Sequence, residues 1–179
     1  PRVIIGRDTR VSGEYLTLAV AGGVMSGGGE VIDLGVMVEA EDIVQTAITE
    51  GVNAICLSGL ITPSLEEMRR VATLAEERGL RIPIIVGGAT TSDMHTAVKI
   101  APLYSGIVIN SHNAGHNAKL LADLTGAERF TIEKDIRQKQ QSLREEFERD
   151  NKRLIPIVER RKERTPKKVE DIITPNHTG

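Results

Sequence analysis

Through the first 123 residues, short apolar runs alternate with stretches of helical spacing, five times over. The runs are Val3-Ile4-Ile5, Val31-Ile32-Asp33-Leu34, Ala54-Ile55-Cys56-Leu57, Ile82-Pro83-Ile84-Ile85-Val86 and Ile107-Val108-Ile109. The stretches between and after them are 14–25, 39–50, 64–78, 93–101 and 115–123. Gly6, Gly27-Gly28-Gly29, Gly79 and Gly87-Gly88 punctuate the alternation. Short strands with apolar side chains on consecutive residues are buried on both faces, which predicts a parallel sheet with helices on both sides. The expected fold class is therefore α/β, a doubly wound, five-stranded parallel sheet of flavodoxin-like or Rossmann-like type. Ligands of such sheets bind at the carboxyl ends of the strands, near the switch in strand order. The loops expected there are Gly6–Gly13, Val36–Glu39, Ser58–Ser64, Gly87–Ser92 and Asn110–Gly115. They are rich in Gly, Ser, Thr and Asn, which permit close backbone approach and hydrogen bonding to a ligand.

Charge divides the chain. Residues 1–123 carry nine basic and 14 acidic residues, and residues 124–179 carry 14 basic and 11 acidic ones. Fifteen of the 17 glycines lie in the first part. This predicts a Gly-rich sheet domain over 1–124 and a charged helical tail or linker over 125–179. Strong helix formers with Ile132, Ile136, Leu143, Phe147 and Leu154 at spacings near 3.6 or 7 predict one long amphipathic helix over 127–154. Residues 155–179, with Pro156, Pro166 and Pro175, read as an extended linker whose Arg160-Arg161-Lys162 run is solvated.

Several functions are excluded by composition. No apolar run approaches the roughly 18 residues of a membrane span. A formal net charge of −2 and only two Tyr, two Phe and no Trp argue against a nucleic-acid binder, which wants a basic face and stacking rings. The single cysteine, Cys56, excludes an internal disulfide framework and a Cys-rich metal site. It lies inside a strand and reads as inert core. With no signal-peptide pattern at the start, the expected location is the cytoplasm.

Three segments carry a specific resemblance. They are Val31-Ile32-Asp33-Leu34-Gly35-Val36-Met37, Leu57-Ser58-Gly59-Leu60-Ile61-Thr62-Pro63-Ser64, and Ile82–Ser92 with His95-Thr96-Ala97-Val98-Lys99-Ile100. Over residues 31–106 the chain resembles the cobalamin-binding domain of cobalamin-dependent methionine synthase, and more weakly its tail resembles the linker to that enzyme's reactivation domain. The resemblance implies a cobalamin lying across the carboxyl ends of the strands, its dimethylbenzimidazole tail in a slot between sheet and helices. Ser58, Leu60 and Thr62 would line that slot, and Gly87 and Gly88 would let the tail approach the backbone. A bulky side chain at either glycine would fill the slot. Taken alone, the Gly-Gly pair would read as a tight strand-to-helix turn; within Leu57–Ser64 and Gly87–Ser92 the slot is the favoured reading.

That family places Asp-x-His-x-x-Gly after its first strand. The His ligates cobalt from below, the Asp orients it, and a Ser in the third loop extends the relay. Here the segment is Asp8-Thr9-Arg10-Val11-Ser12-Gly13. Asp8 and Gly13 fit, and Ser64 fits the relay Ser, but Arg10 stands at the ligand position. Guanidinium keeps its proton and offers no lone pair to a metal. A bound cobalamin is then expected base-on, or with an empty or water-filled lower position, or it does not bind. Arg10 and Asp8 could instead pair at the mouth of the slot.

A second resemblance lies at the edges. Ile4-Ile5-Gly6-Arg7-Asp8-Thr9-Arg10-Val11-Ser12-Gly13-Glu14 resembles the first motif of the α-D-phosphohexomutases, and Gly106–Asn113 is similar to their phosphoserine loop. Ser111 would be the phosphate carrier and His112 its neighbour. Ile109-Asn110 replaces Thr-Ala and Ala114 replaces Pro, and that family's Asp-rich metal loop is missing. Arg7, Arg10 and the Ser12 hydroxyl could bind a phosphate at a helix N-terminus. His112 and His116 are four apart, but Asn113, Ala114 and Gly115 between them disfavour the helix a metal pair would need. The pairs Glu66-Glu67 and Glu76-Glu77 read as solvated.

The resemblance thus implies a corrinoid-carrying module of a methionine-synthase-like methyltransferase. No catalytic or protein metal-ligating residue of its own is expected. Its partners would be the corrinoid and the cap, homocysteine, folate and reactivation domains. The helical cap would lie before the first strand. The alternatives are a cofactor-free scaffold, a hybrid of two βα families, or a phosphohexomutase-like fragment that binds a phosphosugar through Arg7, Arg10 and Ser111.

Overall fold

The computed structural model describes residues 1–7, 18, 21–112 and 114–153. The chain divides into two compact units, Pro1–Phe147 and Glu148–Gly179. In the first, strands β1 (Arg2–Arg7), β2 (Glu30–Val36), β3 (Ala54–Ser58), β4 (Ile84–Gly87) and β5 (Val108–Ser111) form one parallel sheet in the order β2-β1-β3-β4-β5. This is the flavodoxin-like arrangement expected from the apolar runs. Its strand order reverses between β1 and β3, so the crevice at their carboxyl ends is the place where such folds hold ligands.

Strand alternation sorts the core into two faces. Ile4, Ile55, Leu57, Ile84, Val86 and Val108 pack against helices α2 (Ala40–Thr49) and α3 (Thr62–Glu77) through Ile43, Val44, Met68, Val71 and Ala75. Val3, Ile5, Ala54, Cys56 and Ile85 face the other way, onto Val24 of helix α1 (described over 21–26) and Leu121 of α5 (Ala114–Thr125). Burying these branched side chains supplies roughly 1.5–3 kcal/mol each.

The elements differ from the expected bounds for local reasons. Helix α3 begins at Thr62, so Pro63 sits in its first turn, where a missing N–H has no helical partner to lose. Strand β4 starts only at Ile84, because Pro83 cannot donate to the ladder. The stretch 93–101 is not one helix. A single α-turn, α4 (Asp93–His95), passes into a π-turn over Thr96–Ile100 and a 3-10 turn over Ala101–Leu103. Pro102 removes the donor that would continue an α-helix there. Helix α5 opens at Ala114, a strong helix former, and includes Gly115 despite its weak helix preference, so the segment expected to disfavour a helix before His116 is helical from 114 on. The N-terminal part of the helix expected over 14–25, and all of 155–179, lie outside the described residues.

Helix α6 (Arg129–Arg153) follows α5 where the composition turns charged. Within the first unit it is fastened to backbone carbonyls by long polar side chains. Arg129 donates to Arg81 O (3.1 Å), Arg137 to Ser105 O (2.8 Å) and Arg144 to Ala97 O (3.1 Å). Gln140 Nε2 donates to Val108 O at 2.6 Å, which engages a carbonyl of the edge strand β5. That bond takes up one acceptor that the edge strand would otherwise offer to another strand.

Candidate functional site

The carboxyl end of the sheet is where register matters most. Ser58 pairs with Gly87, and Gly87 pairs with Ser111. Counting alternation from Cys56 and Ile85, these three positions face the α1 and α5 side. They form a row across β3, β4 and β5 with a hydroxyl at each end and no side chain in the middle. A Cβ added at Gly87 would meet Ser111 O at 3.5 Å and Ser111 Cβ at 3.9 Å, ordinary contacts. Gly87 is therefore not required by packing. Among the described residues the middle of the row is bare backbone above Cys56 and Ile85, a shallow trough between the Ser58 and Ser111 positions.

Gly88 has a different reason. Its φ is +114°, and a Cβ there would overlap the carbonyl group of Gly59. The loops after β3 and β4 touch backbone to backbone: Gly59 N donates to Gly87 O at 3.0 Å and Thr90 Oγ1 to Gly59 O at 3.1 Å. Gly88 thus sits at a close backbone junction, whereas a side chain at Gly87 would make only ordinary contacts with Ser111. Beyond Gly88, Thr91 closes the turn through Gly88 O, and Ser92 Oγ caps α4 by accepting from His95 N.

Leu60 is half-buried just past this junction. Thr62 is exposed, and Ser64 is half-buried against Gly59. Thr62 and Ser64 stand on the first turn of α3, on the sheet face opposite the row's side chains. A cavity of about 330 Å³ opens there, bordered by Gly6, Met37, Ile43, Leu57, Ser64 and Met68 among others. That volume lies at the lower end of the ligand-pocket range. Exposed Met37 and Ile61 border it. Met37 holds φ +54°, uncommon for a residue with a side chain. Met37 and Ile61 belong to the loops 36–39 and 58–64 expected at the carboxyl ends of the strands, but their apolar exposure was not anticipated.

At the β5 edge, His112 Nε2 lies 2.8 Å from Asp93 Oδ1, Lys139 Nζ is 2.6 Å from Asp93 Oδ2, and Asn110 Nδ2 donates to Asp93 at 3.2 Å. Burial pushes the Asp93 carboxyl up, but the hydrogen bonds from Lys139 and Asn110 and the nearby charges outweigh it and hold it below its ordinary value. His112 is thus bonded to a carboxylate. No group of three or more potential metal-ligating side chains occurs among the described residues. No described helix is long and apolar enough to cross a membrane. Asp8, Arg10 and Gly13 lie outside the described residues.

Residues 9–109 match the sequence profile described as the B12 binding domain. Three solved structures are similar in fold. A methanol:cobalamin methyltransferase complex from Methanosarcina barkeri gives a TM-score of 0.61 at 19% identity, over 77% of this chain and 50% of that one. A monomethylamine corrinoid protein from Methanosarcina barkeri gives 0.58 at 24% identity, over 69% and 57%. A cobalamin-binding protein from Desulfitobacterium hafniense gives 0.56 at 21% identity, over 70% and 59%. The chain spans only 50–59% of the length of these proteins.

Proposed function

Because the chain belongs to the B12-binding domain family, we propose that it binds a cobalamin-type corrinoid across the carboxyl ends of its strands. The observation that carries this reading beyond membership is the row Ser58–Gly87–Ser111. A flat aromatic base needs a gap one side chain wide, and a Cβ at Gly87 would stand in it. Ser58 and Ser111 supply hydroxyls at the two ends, while Gly88 locks the β3 and β4 loops together. Leu60 lies in the loop between the trough and α3, and Thr62 and Ser64 stand on the first turn of α3. The corrinoid, when bound, supplies methyl-group transfer at cobalt, and the protein supplies position and shielding.

The lower face departs from the methionine-synthase pattern. Arg10 occupies the His position of Asp8-x-x-x-x-Gly13, and a guanidinium has no lone pair for a metal. Arg10 would therefore give a bound corrinoid no protein ligand from this position. The module presents its corrinoid to methyltransferase partners, and the motifs Leu57–Ser64 and Ile82–Ser92 favour a methionine-synthase-type set with cap, homocysteine, folate and reactivation domains.

Reconstitution with hydroxocobalamin followed by desalting tests this. Retained red colour at about one corrinoid per chain supports the reading. A colourless protein that remains folded would favour the cofactor-free scaffold.

A further inference from the structure

We propose that Arg7 is a phosphate anchor at the β1 end of this site. On the reading above, the phosphate is the phosphodiester of the corrinoid's nucleotide tail. Arg7 closes β1 one residue past the pair Gly6–Leu57, beside Ser58 and at the switch in strand order. Its Nη2 lies 3.6 Å from Asp33 Oδ2, longer than a hydrogen bond. Ile32 and Leu34 pack with the α2 and α3 core and Val31 with the opposite one, so Asp33 lies on the α1 and α5 face. Arg7 meets Asp33 on that face and, with Ser58, also borders the cavity beside α2 and α3, so it stands at the junction of the two faces at the strand end.

The Arg7 side chain is only 14% exposed, and its Nε is buried without a hydrogen-bond partner. A buried guanidinium donor with no acceptor is costly; Arg69 Nε on α3 is another among the described residues, but Arg7 stands at the carboxyl end of β1, where a bound ligand can accept the bond. The planar fork of arginine matches phosphate oxygens in particular. Cobalamin's peripheral amides are neutral, so its phosphodiester is the group that would share this charge with the Asp33 carboxylate. A phosphosugar would offer the same chemistry.

The purified full chain and the variants Arg7→Met and Arg7→Lys are titrated calorimetrically with cobalamin, cobinamide, glucose 1-phosphate and inorganic phosphate. Cobinamide shares the corrin ring but lacks the nucleotide and its phosphate. Arg7→Met is expected to weaken cobalamin about tenfold or more while changing cobinamide by less than about twofold, with Arg7→Lys between wild type and Arg7→Met. Equal losses on both corrinoids, or no loss on cobalamin, overturn the assignment. Wild-type protein that takes up neither corrinoid removes the proposed function but not this test. Glucose 1-phosphate binding that Arg7→Met abolishes then supports the anchor with a sugar phosphate as its source, and absence of any phosphate binding overturns it. Thermal melting establishes that each variant is folded, and Arg7→Lys carries the comparison if Arg7→Met is not.

Discussion

The carbonyl group of Gly59 occupies the space that a side chain on Gly88 would need. Two adjacent glycines, Gly87 and Gly88, therefore do separate work. One keeps the trough open, and the other lets two loops meet through their backbones.

Alanine substitutions separate these roles. Gly88→Ala adds a Cβ at φ +114° into the Gly59 backbone and is expected to destabilise the fold by about 2 kcal/mol or more in chemical denaturation. Gly87→Ala meets Ser111 only at ordinary distances, so its stability should stay within about 1 kcal/mol of wild type. Its effect should instead appear as weaker corrinoid uptake. A destabilised Gly87→Ala beside an unaffected Gly88→Ala would reverse the assignment.

Helix α6 should loosen in acid. The folded-state pKa of Asp93 is depressed, so its contribution is present above the ordinary carboxylate value and is lost as pH falls below 3.8 through the lower folded value. Asp93→Asn removes the Lys139 ion pair and should cost about 0.5–1.5 kcal/mol at pH 7, with less of a difference from wild type in strong acid. Hydrogen exchange should show faster opening around Lys139 in the variant at neutral pH. Unchanged protection there would mean that Gln140 and the arginines hold the helix without Asp93.

Cys56 should be silent. It is 6% exposed beneath the trough, and burial pushes its thiol up to about 12. Native protein should resist a thiol-reactive dye at pH 8, whereas denatured protein should label once per chain. Rapid labelling of the native protein would show that the trough opens to its floor.

Tyr104 ties the start of β4 to the chain before β5. Its hydroxyl donates to Ile82 O at 2.7 Å, and the residue is 3% exposed. Tyr104→Phe leaves that carbonyl unpaired and should cost about 1–2 kcal/mol in urea unfolding without altering corrinoid uptake. A neutral substitution would mean that solvent reaches Ile82 O.

The sheet was legible in the sequence because its strands are short, apolar and regularly spaced, a pattern few folds satisfy. Ser58, Gly87 and Ser111 were each legible as loop residues. Their union in one row was not, because register depends on pairing between strands distant in sequence. For the same reason Gly88 could not be told from Gly87: its constraint is Gly59, 29 residues away. The Asp93–Lys139 pair joins positions 46 apart, and nothing local marks it. The broken helix over 93–103 was foreshadowed by Pro102, but the π-turn follows from packing of Thr96, Ala97 and Ile100 into the core.

The absorption spectrum of the protein reconstituted with hydroxocobalamin, recorded at neutral pH after desalting, tests corrinoid binding and the consequence of Arg10 together. The account predicts about one corrinoid per chain, with the spectrum of a cobalamin whose lower position holds its own base or water. No retained corrinoid, or a spectrum of histidine-ligated cobalamin with its base displaced, would contradict it.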